Sequence, residues 1–314
     1  MPLPAVLQKL RLPVIGAPMF IAGNPKLVIE QCKAGIVGSF PALNARPKEA
    51  LDEWLSEIEA ALAGQPGAAP FAVNQICHKS NDRLEHDLEV CIRHKVPVTI
   101  TSLRAPNDVI PKIHAYGGIV LHDVISVRHA EKALEAGVDG LILVCAGAGG
   151  HAGTLSPFAL VGEVRRFFDG PIILSGAIAS GDAILAAQAA GADLAYIGTR
   201  FIATPEASVP ERYKDELLRA AAADIVYTDL FSGVHGNYLK HSVVSAGFDP
   251  LNLPRSDPGR MNFGSGSGVE KKVWRDIWSA GQGVGQIDAV MPVAQIVAKL
   301  ESEYAAARRR LQMN

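Results

Sequence analysis

Residues 171–201 read PIILSGAIASGDAILAAQAAGADLAYIGTRF, and this stretch limits the available folds more than any other. Two short apolar runs, Pro171–Leu174 and Leu194–Ile197, pass directly into small residues, Ser175-Gly176-Ala177 and Gly198-Thr199, with a helical pattern, Asp182–Ala190, between them. A strand that ends in glycine lets an anion come close to the backbone, and N–H groups there can cradle phosphate oxygens. Two adjacent strand ends of this kind, late in a chain that repeats strand and helix, are where a (β/α)8 barrel keeps its phosphate site. The expectation is therefore a barrel that holds a phosphorylated cofactor.

The rest of the chain repeats that rhythm. Strand candidates are Val14–Met19, Ile36–Phe40, Phe71–Gln75, Val98–Ser102, Ile119–Asp123, Leu141–Cys145, Ile172–Ser175 and Leu194–Gly198. Between them lie amphipathic stretches such as Pro47–Leu62, Asp82–His94, Val127–Ala136 and Ala159–Phe168. Glycines 117, 137, 170 and 191 stand where a helix should end and a strand begin. Parallel strands need helical crossovers, so eight such units closing on themselves give an α/β (β/α)8 TIM barrel. A doubly wound open sheet is the alternative topology, but no GxGxxG follows the first strand, which ends Ala17-Pro18-Met19.

After residue 201 the rhythm breaks. Residues 205–268 hold helical stretches and then a Gly-, Pro-, Ser- and Asn-rich segment, 247–268, before a closing helix near 290–311. This divides the chain into a barrel, 1–204 with 286–314, and a lid or small subdomain with a covering loop, 205–285. With 30 Lys and Arg against 32 Asp and Glu, a net charge of −2 points to neither nucleic acid nor an anionic membrane as partner. No apolar run approaches the roughly 18 residues of a membrane span, and the N-terminus lacks a signal-peptide pattern. A cytoplasmic enzyme acting on a small molecule is expected, with a homo-oligomer an open option. Cys32, Cys77, Cys91 and Cys145 form no CxxC pair and are read as reduced packing residues.

Chemistry concentrates in Val144-Cys-Ala-Gly-Ala-Gly-Gly-His151-Ala-Gly153, a glycine-dense loop around a single histidine after the sixth strand. A histidine at the C-terminal mouth of a barrel strand can hydrogen-bond a substrate or move a proton near neutral pH. His78, His86, His94, His114 and His129 fall on helical patterns and are read as surface or packing residues, and His235 and His241 as lid residues. His122, beside Asp123, is read as facing the barrel interior. Asn74 ends the third strand and offers both a donor and an acceptor to the edge of a heterocycle. Trp278–Gly285 is a second glycine-rich loop. No HxH, HExxH or carboxylate cluster suggests a metal.

With these segments aligned, the chain resembles the nitronate monooxygenases, formerly 2-nitropropane dioxygenases, which are FMN-dependent (β/α)8 barrels. The resemblance runs through residues 13–19, Phe71-Ala-Val-Asn74, Ala148-Gly-Gly-His-Ala-Gly153, Ser175-Gly-Ala177, Ile197-Gly-Thr-Arg-Phe201 and Trp278–Gly285. It implies that backbone at Ala17, Pro18 and Met19 meets the isoalloxazine and that Asn74 bonds the polar edge of that ring. Gly149 and Gly150 then pack near the cofactor, while Ser175, Gly176, Ala177, Gly198 and Thr199 hold the FMN phosphate. Gln282 and Gly283 approach the flavin from the last loop, and His151 is the catalytic histidine. The implied reaction is oxidation of alkyl nitronates, and of nitroalkanes, by O2 to a carbonyl compound and nitrite. An FMN-dependent NAD(P)H:quinone or enoyl-thioester reductase is the first alternative, and a non-catalytic flavin or phosphate-ligand barrel the second. One position departs from the pattern: some relatives place lysine beside the flavin where this chain has Asp123, and an acidic group there would not stabilise negative charge on the reduced ring as lysine can.

Overall fold

The computed structural model of the chain describes residues 3–254, 256 and 277–312. Of the Gly- and Pro-rich stretch, residues 255 and 257–268 therefore lie outside the described part.

The first strand, β1 (Val14–Gly16), is too short to form a sheet alone and takes a neighbour on each side. On one side it pairs in parallel with β9 (Leu194–Ile197), Ile15 opposite Tyr196; on the other, Ile15 bridges Val37 next to β2 (Gly38–Pro41). The remaining strands follow in turn: β3 (Phe71–Cys77), β4 (Val98–Leu103), β5 (Ile119–Val124), β6 (Gly140–Val144) and β8 (Ile172–Ser175). The order β1-β9-β8-β6-β5-β4-β3-β2 is parallel throughout, and the β1–β2 bridge joins its two ends. The sheet is thus a nearly closed (β/α)8 barrel, and an open doubly wound sheet is excluded.

Local chemistry sets the helices. Asn24 caps α1 (Pro25–Lys33) through the Leu27 N–H, with proline at the first position, where its missing N–H costs nothing. Ser126 and Ser180 cap α5 (Val127–Ala136) and α7 (Gly181–Ala189) in the same way. Gly137 ends α5 at φ 96°, a left-handed turn that glycine enters without a Cβ clash. Between these lie α2 (Ala50–Leu62), α3 (Leu84–Arg93), α4 (Ile110–His114) and α6 (Pro157–Arg165). The final helix, α11 (Val293–Gln312), lies against α7 so closely that a Cβ on Gly181 would strike the Tyr304 N–H and the Leu300 carbonyl.

Period-2 alternation sorts the strands into two faces. Ile15, Val37, Ala72, Ile100, Leu121, Ile142 and Ile173 point inward and fill the barrel, with Leu7 from the N-terminal 3-10 turn packed among them. The opposite face of the same strands packs on the helices: Val120, Val124, Leu141 and Leu143 meet Ala130, Ala133, Leu160 and Val164.

The segment after β9 is more ordered than its weak apolar periodicity suggests. It contains α8 (Thr199–Ile202), α9 (Glu211–Arg219), β10 (Ile225–Thr228), β11 (Gly236–Leu239) and α10 (Lys240–Ser245). β10 and β11 form an antiparallel hairpin, and β11 then pairs with β7 (Gly150–His151), Gly236 opposite His151. The loop after β6 is thereby tied to a segment more than eighty residues away by a small sheet.

Candidate active site

One pleat step beyond the apolar filling, the inner face of the barrel turns polar. Asn74, Ser102, Asp123, Ser175 and Tyr196 follow Ala72, Ile100, Leu121, Ile173 and Leu194 at intervals of two residues. All five line a cavity of about 900 Å³ at the C-terminal mouth of the strands, within the size range of small-molecule and cofactor sites. Three of them form a directed chain: Asn74 Nδ2 donates to Ser102 Oγ at 2.8 Å, and Ser102 Oγ donates to Asp123 Oδ2 at 2.6 Å. Asp123 Oδ1 and the Tyr196 hydroxyl are buried and find no hydrogen-bond partner among the described residues. Burial pushes the Asp123 carboxyl up to about 7, against the smaller pull of the Ser102 hydroxyl. Burial, with the neighbouring Asp123, also holds Tyr196 well above the usual phenol range.

His151 stands on the cavity wall, placed there by the β7–β11 pairing. Its Nε2 lies 3.1 Å from Ser232 Oγ, which also lies 2.8 Å from the Val234 carbonyl oxygen. Which partner donates in this contact depends on the imidazole tautomer. Burial lowers the imidazole to about 4, so His151 is neutral at physiological pH and able to accept a proton.

Glycines bring four loops together on the other side of the cavity. Gly281 N–H donates to Thr199 Oγ1 at 2.9 Å, Gln282 N–H to the Gly147 carbonyl at 2.9 Å, and Ala177 N–H to the same carbonyl at 3.2 Å. A Cβ on Gly149 would stand 2.8 Å from Gly281 N, and one on Gly283 would stand 2.9 Å from the Ala177 carbonyl. Gly176 has φ 141° and Ala177 φ 55°, so the backbone bends through a left-handed turn directly after β8. Of the residues singled out from the sequence, Ala17, Pro18, Met19, Asn74, Gly149, Gly150, His151, Ser175, Gly176, Ala177, Gly198, Thr199 and Gly283 all line the cavity. Gln282 does not; its backbone is bonded back to Gly147.

Two expectations from the sequence change. His122 faces the helix layer, 3% exposed, with its Nδ1 2.8 Å from Thr101 Oγ1, and Asp123 takes the inward position. His129, read as surface or packing, reaches the cavity from α5. Ser102 and Tyr196 were missed, although their two-residue spacing from Ile100 and Leu194 already places them on the inner face. The apolar rim was missed as well: Phe20, Ile21, Leu43, Trp54 and Ile125 line the opening, and the Arg46 guanidinium lies 5.6 Å from the Phe20 ring centre. Cys145 is buried and its thiol is pushed up to about 12, in keeping with a packing role.

The buried histidines give the fold an acid-sensitive term. Burial, helped by His129, lowers His122 to about 4, against about 6.5 in the unfolded chain. Above pH 6.5 both states are neutral; as pH falls toward 4 only the unfolded state takes the proton, so stability is lost across that window. Asp123 acts in the opposite sense: its raised pKa favours the folded state in acid and loses that contribution between about 3.8 and 7. At about 1.4 kcal/mol per unit, His122 alone accounts for roughly 3 kcal/mol. His122→Asn is therefore expected to lose roughly 2–3 kcal/mol less than the parent between pH 7 and 4.5 in urea unfolding. An unchanged acid loss would mean that the folded state protonates His122 freely.

Comparison with known proteins gives four findings. A family model described as nitronate monooxygenase matches residues 14–303. A nitronate monooxygenase of Paraburkholderia phytofirmans is 28% identical over 336 residues, covering 93% of this chain and 92% of its own. A Rhodococcus jostii protein named as a hydroxy-methyl-oxo-octahydroindene-carboxyl-CoA dehydrogenase is 27% identical, over 74% of this chain and 64% of its own. Among solved structures, FabK from Thermotoga maritima superposes with a TM-score of 0.81 at 26% identity, covering 98% of this chain and 96% of that one.

Proposed function

The chain belongs to the nitronate monooxygenase family of oxidoreductases, and from that premise we propose that it binds FMN and oxidises alkyl nitronates with O2 to a carbonyl compound and nitrite. The observation that carries the reading is a neutral histidine on the wall of the same cavity that holds a glycine-built turn and two unpartnered polar atoms. The cavity fits a flavin mononucleotide in kind. Gly176 and Gly283 let loop backbones approach where a Cβ would strike the Ala146 and Ala177 carbonyls, Asp123 Oδ1 and Tyr196 OH await polar contacts, and Ala17, Pro18 and Met19 line the same cavity.

When bound, the flavin supplies the redox chemistry. In this reading Ser175, Gly176, Gly198 and Thr199 hold the phosphate, and Asn74 meets the polar edge of the ring. The Ala177 N–H is already committed to Gly147, so that residue contributes shape rather than a donor. Neutral His151 takes a proton from the carbon beside the nitro group and orients the nitronate that results. The described parts of residues 205–285 act as the cover, since the β10–β11 hairpin fixes the histidine loop and Trp278, Ser279 and Gly281 close one side of the cavity.

The apolar rim of Phe20, Ile21, Leu43 and Trp54, together with the CoA-linked relative, favours one second reading, reduction of an unsaturated acyl thioester by NAD(P)H. Anaerobic mixing of the yellow protein with ethylnitronate, and separately with NADH, decides between them. Flavin bleaching by the nitronate alone, with nitrite once air is admitted, is the expected result. Bleaching by NADH alone would move the protein to the reductases.

A further inference from the structure

The Asn74–Ser102–Asp123 chain runs in one direction, and its end is where the cavity is chemically incomplete. Ser102 spends its single proton on Asp123 Oδ2, and Asn74 fills the acceptor side of that hydroxyl. The other carboxyl oxygen, Oδ1, is buried and has no hydrogen-bond partner among the described residues, as is true of the Tyr196 hydroxyl, and both residues line the cavity. Among the described residues no cation pairs with Asp123. The other titratable or charged groups lining the same cavity, among the described residues, are Tyr196 from β9, His151 from β7, His129 from α5, Tyr213 from α9, Tyr238 from β11 and Arg46 after β2. An ionised carboxylate held by one hydroxyl would be poorly compensated there, whereas a neutral acid has an O–H to place.

We propose that Asp123 carries a proton on Oδ1 and donates it as a hydrogen bond to the polar edge of the bound flavin, with Asn74 and Ser102 orienting the carboxyl and Tyr196 as a second donor. The proposal rests on the flavin reading above. A buried carboxylic acid kept neutral can serve as a hydrogen-bond donor to developing negative charge, as in ketosteroid isomerase, an example from general enzyme chemistry. Asp123 thus provides a donor where relatives with lysine provide a permanent cation. The difference has a sign: below about pH 7 the acid supports negative charge on the ring, and above it the carboxylate opposes that charge.

The test is the midpoint potential of the FMN-loaded protein, measured by dye-coupled reduction from pH 6 to 8.5. The parent curve should fall more steeply through pH 7 than that of Asp123→Asn, whose amide donates at every pH. By pH 8.5 the variant should be at least tenfold easier to reduce than the parent, about 30 mV for a two-electron couple. Parallel curves would overturn the assignment. Ser102→Ala gives a second reading: without the hydroxyl that favours the ionised form, the break in the curve should move to higher pH, and an unmoved break would also overturn it. A protein that stays colourless after FMN reconstitution defeats the flavin reading itself, while a yellow protein with parallel curves defeats only the role of Asp123.

Discussion

Replacing His151 with asparagine is expected to lower kcat/KM for neutral nitroalkanes by about 10²- to 10⁴-fold, the range that a positioned general base contributes. Preformed nitronates need no such proton transfer, and their turnover and the flavin content should stay within a few-fold of the parent. The expectation follows from position and charge together. The β7–β11 pairing sets the ring at the cavity wall, Ser232 hydrogen-bonds its Nε2, and burial keeps it neutral. Asparagine keeps a hydrogen-bonding group of similar reach but cannot accept a proton. Steady-state rates on ethylnitronate and nitroethane, each started from a fresh stock at the same pH, separate the two roles. An equal loss on both forms would remove the general-base role and leave His151 as a binding group only.

Gly176→Val should give a protein that purifies with little or no flavin. Gly176 sits at φ 141°, and a Cβ there would stand 2.8 Å from the Ala146 carbonyl, so a branched side chain meets both strain and backbone. Strain of this kind is of the order of 1–3 kcal/mol, which corresponds to roughly ten- to a hundredfold weaker FMN binding. Gly162→Ala on α6 is the control: its Cβ enters open space, and its colour should not change. Titration of apoprotein with FMN, followed by quenching of flavin fluorescence, measures both. Unchanged affinity in Gly176→Val would place the phosphate away from the turn after β8.

Much of this was legible in the chain because the signals were local. Short apolar runs ending in glycine identified the strands, and the boundaries of β8 and α5 agree with the pattern to the residue. The glycine-dense loop around His151 was equally readable. The inward polar layer was harder, since one inner-facing Ser or Tyr per strand looks ordinary until the barrel collects them; Ser102 and Tyr196 come to line one cavity only in the assembled barrel. His122 misled because two polar neighbours at a strand end cannot both face inward, and nothing local decides which does. The β10–β11 hairpin was obscured because its two strands pack against a loop and one another rather than a large apolar face. Only the pairing of Gly236 with His151 explains its place.

The closed ring has a consequence for how the chain is made. The other barrel strands find a ladder partner in an adjoining unit, but β1 has only the Ile15–Val37 bridge until β9 arrives, and its ladder must wait for Tyr196. A nascent chain released before residue 194 would be an open sheet with two bare edges, the arrangement most prone to pairing with another chain. His151 waits longer still, for Gly236. During synthesis, then, the floor of the cavity precedes its closure, and the histidine is set only after the barrel strands are made. An unfinished polypeptide can carry every glycine of the turn after β8 and still lack a placed His151.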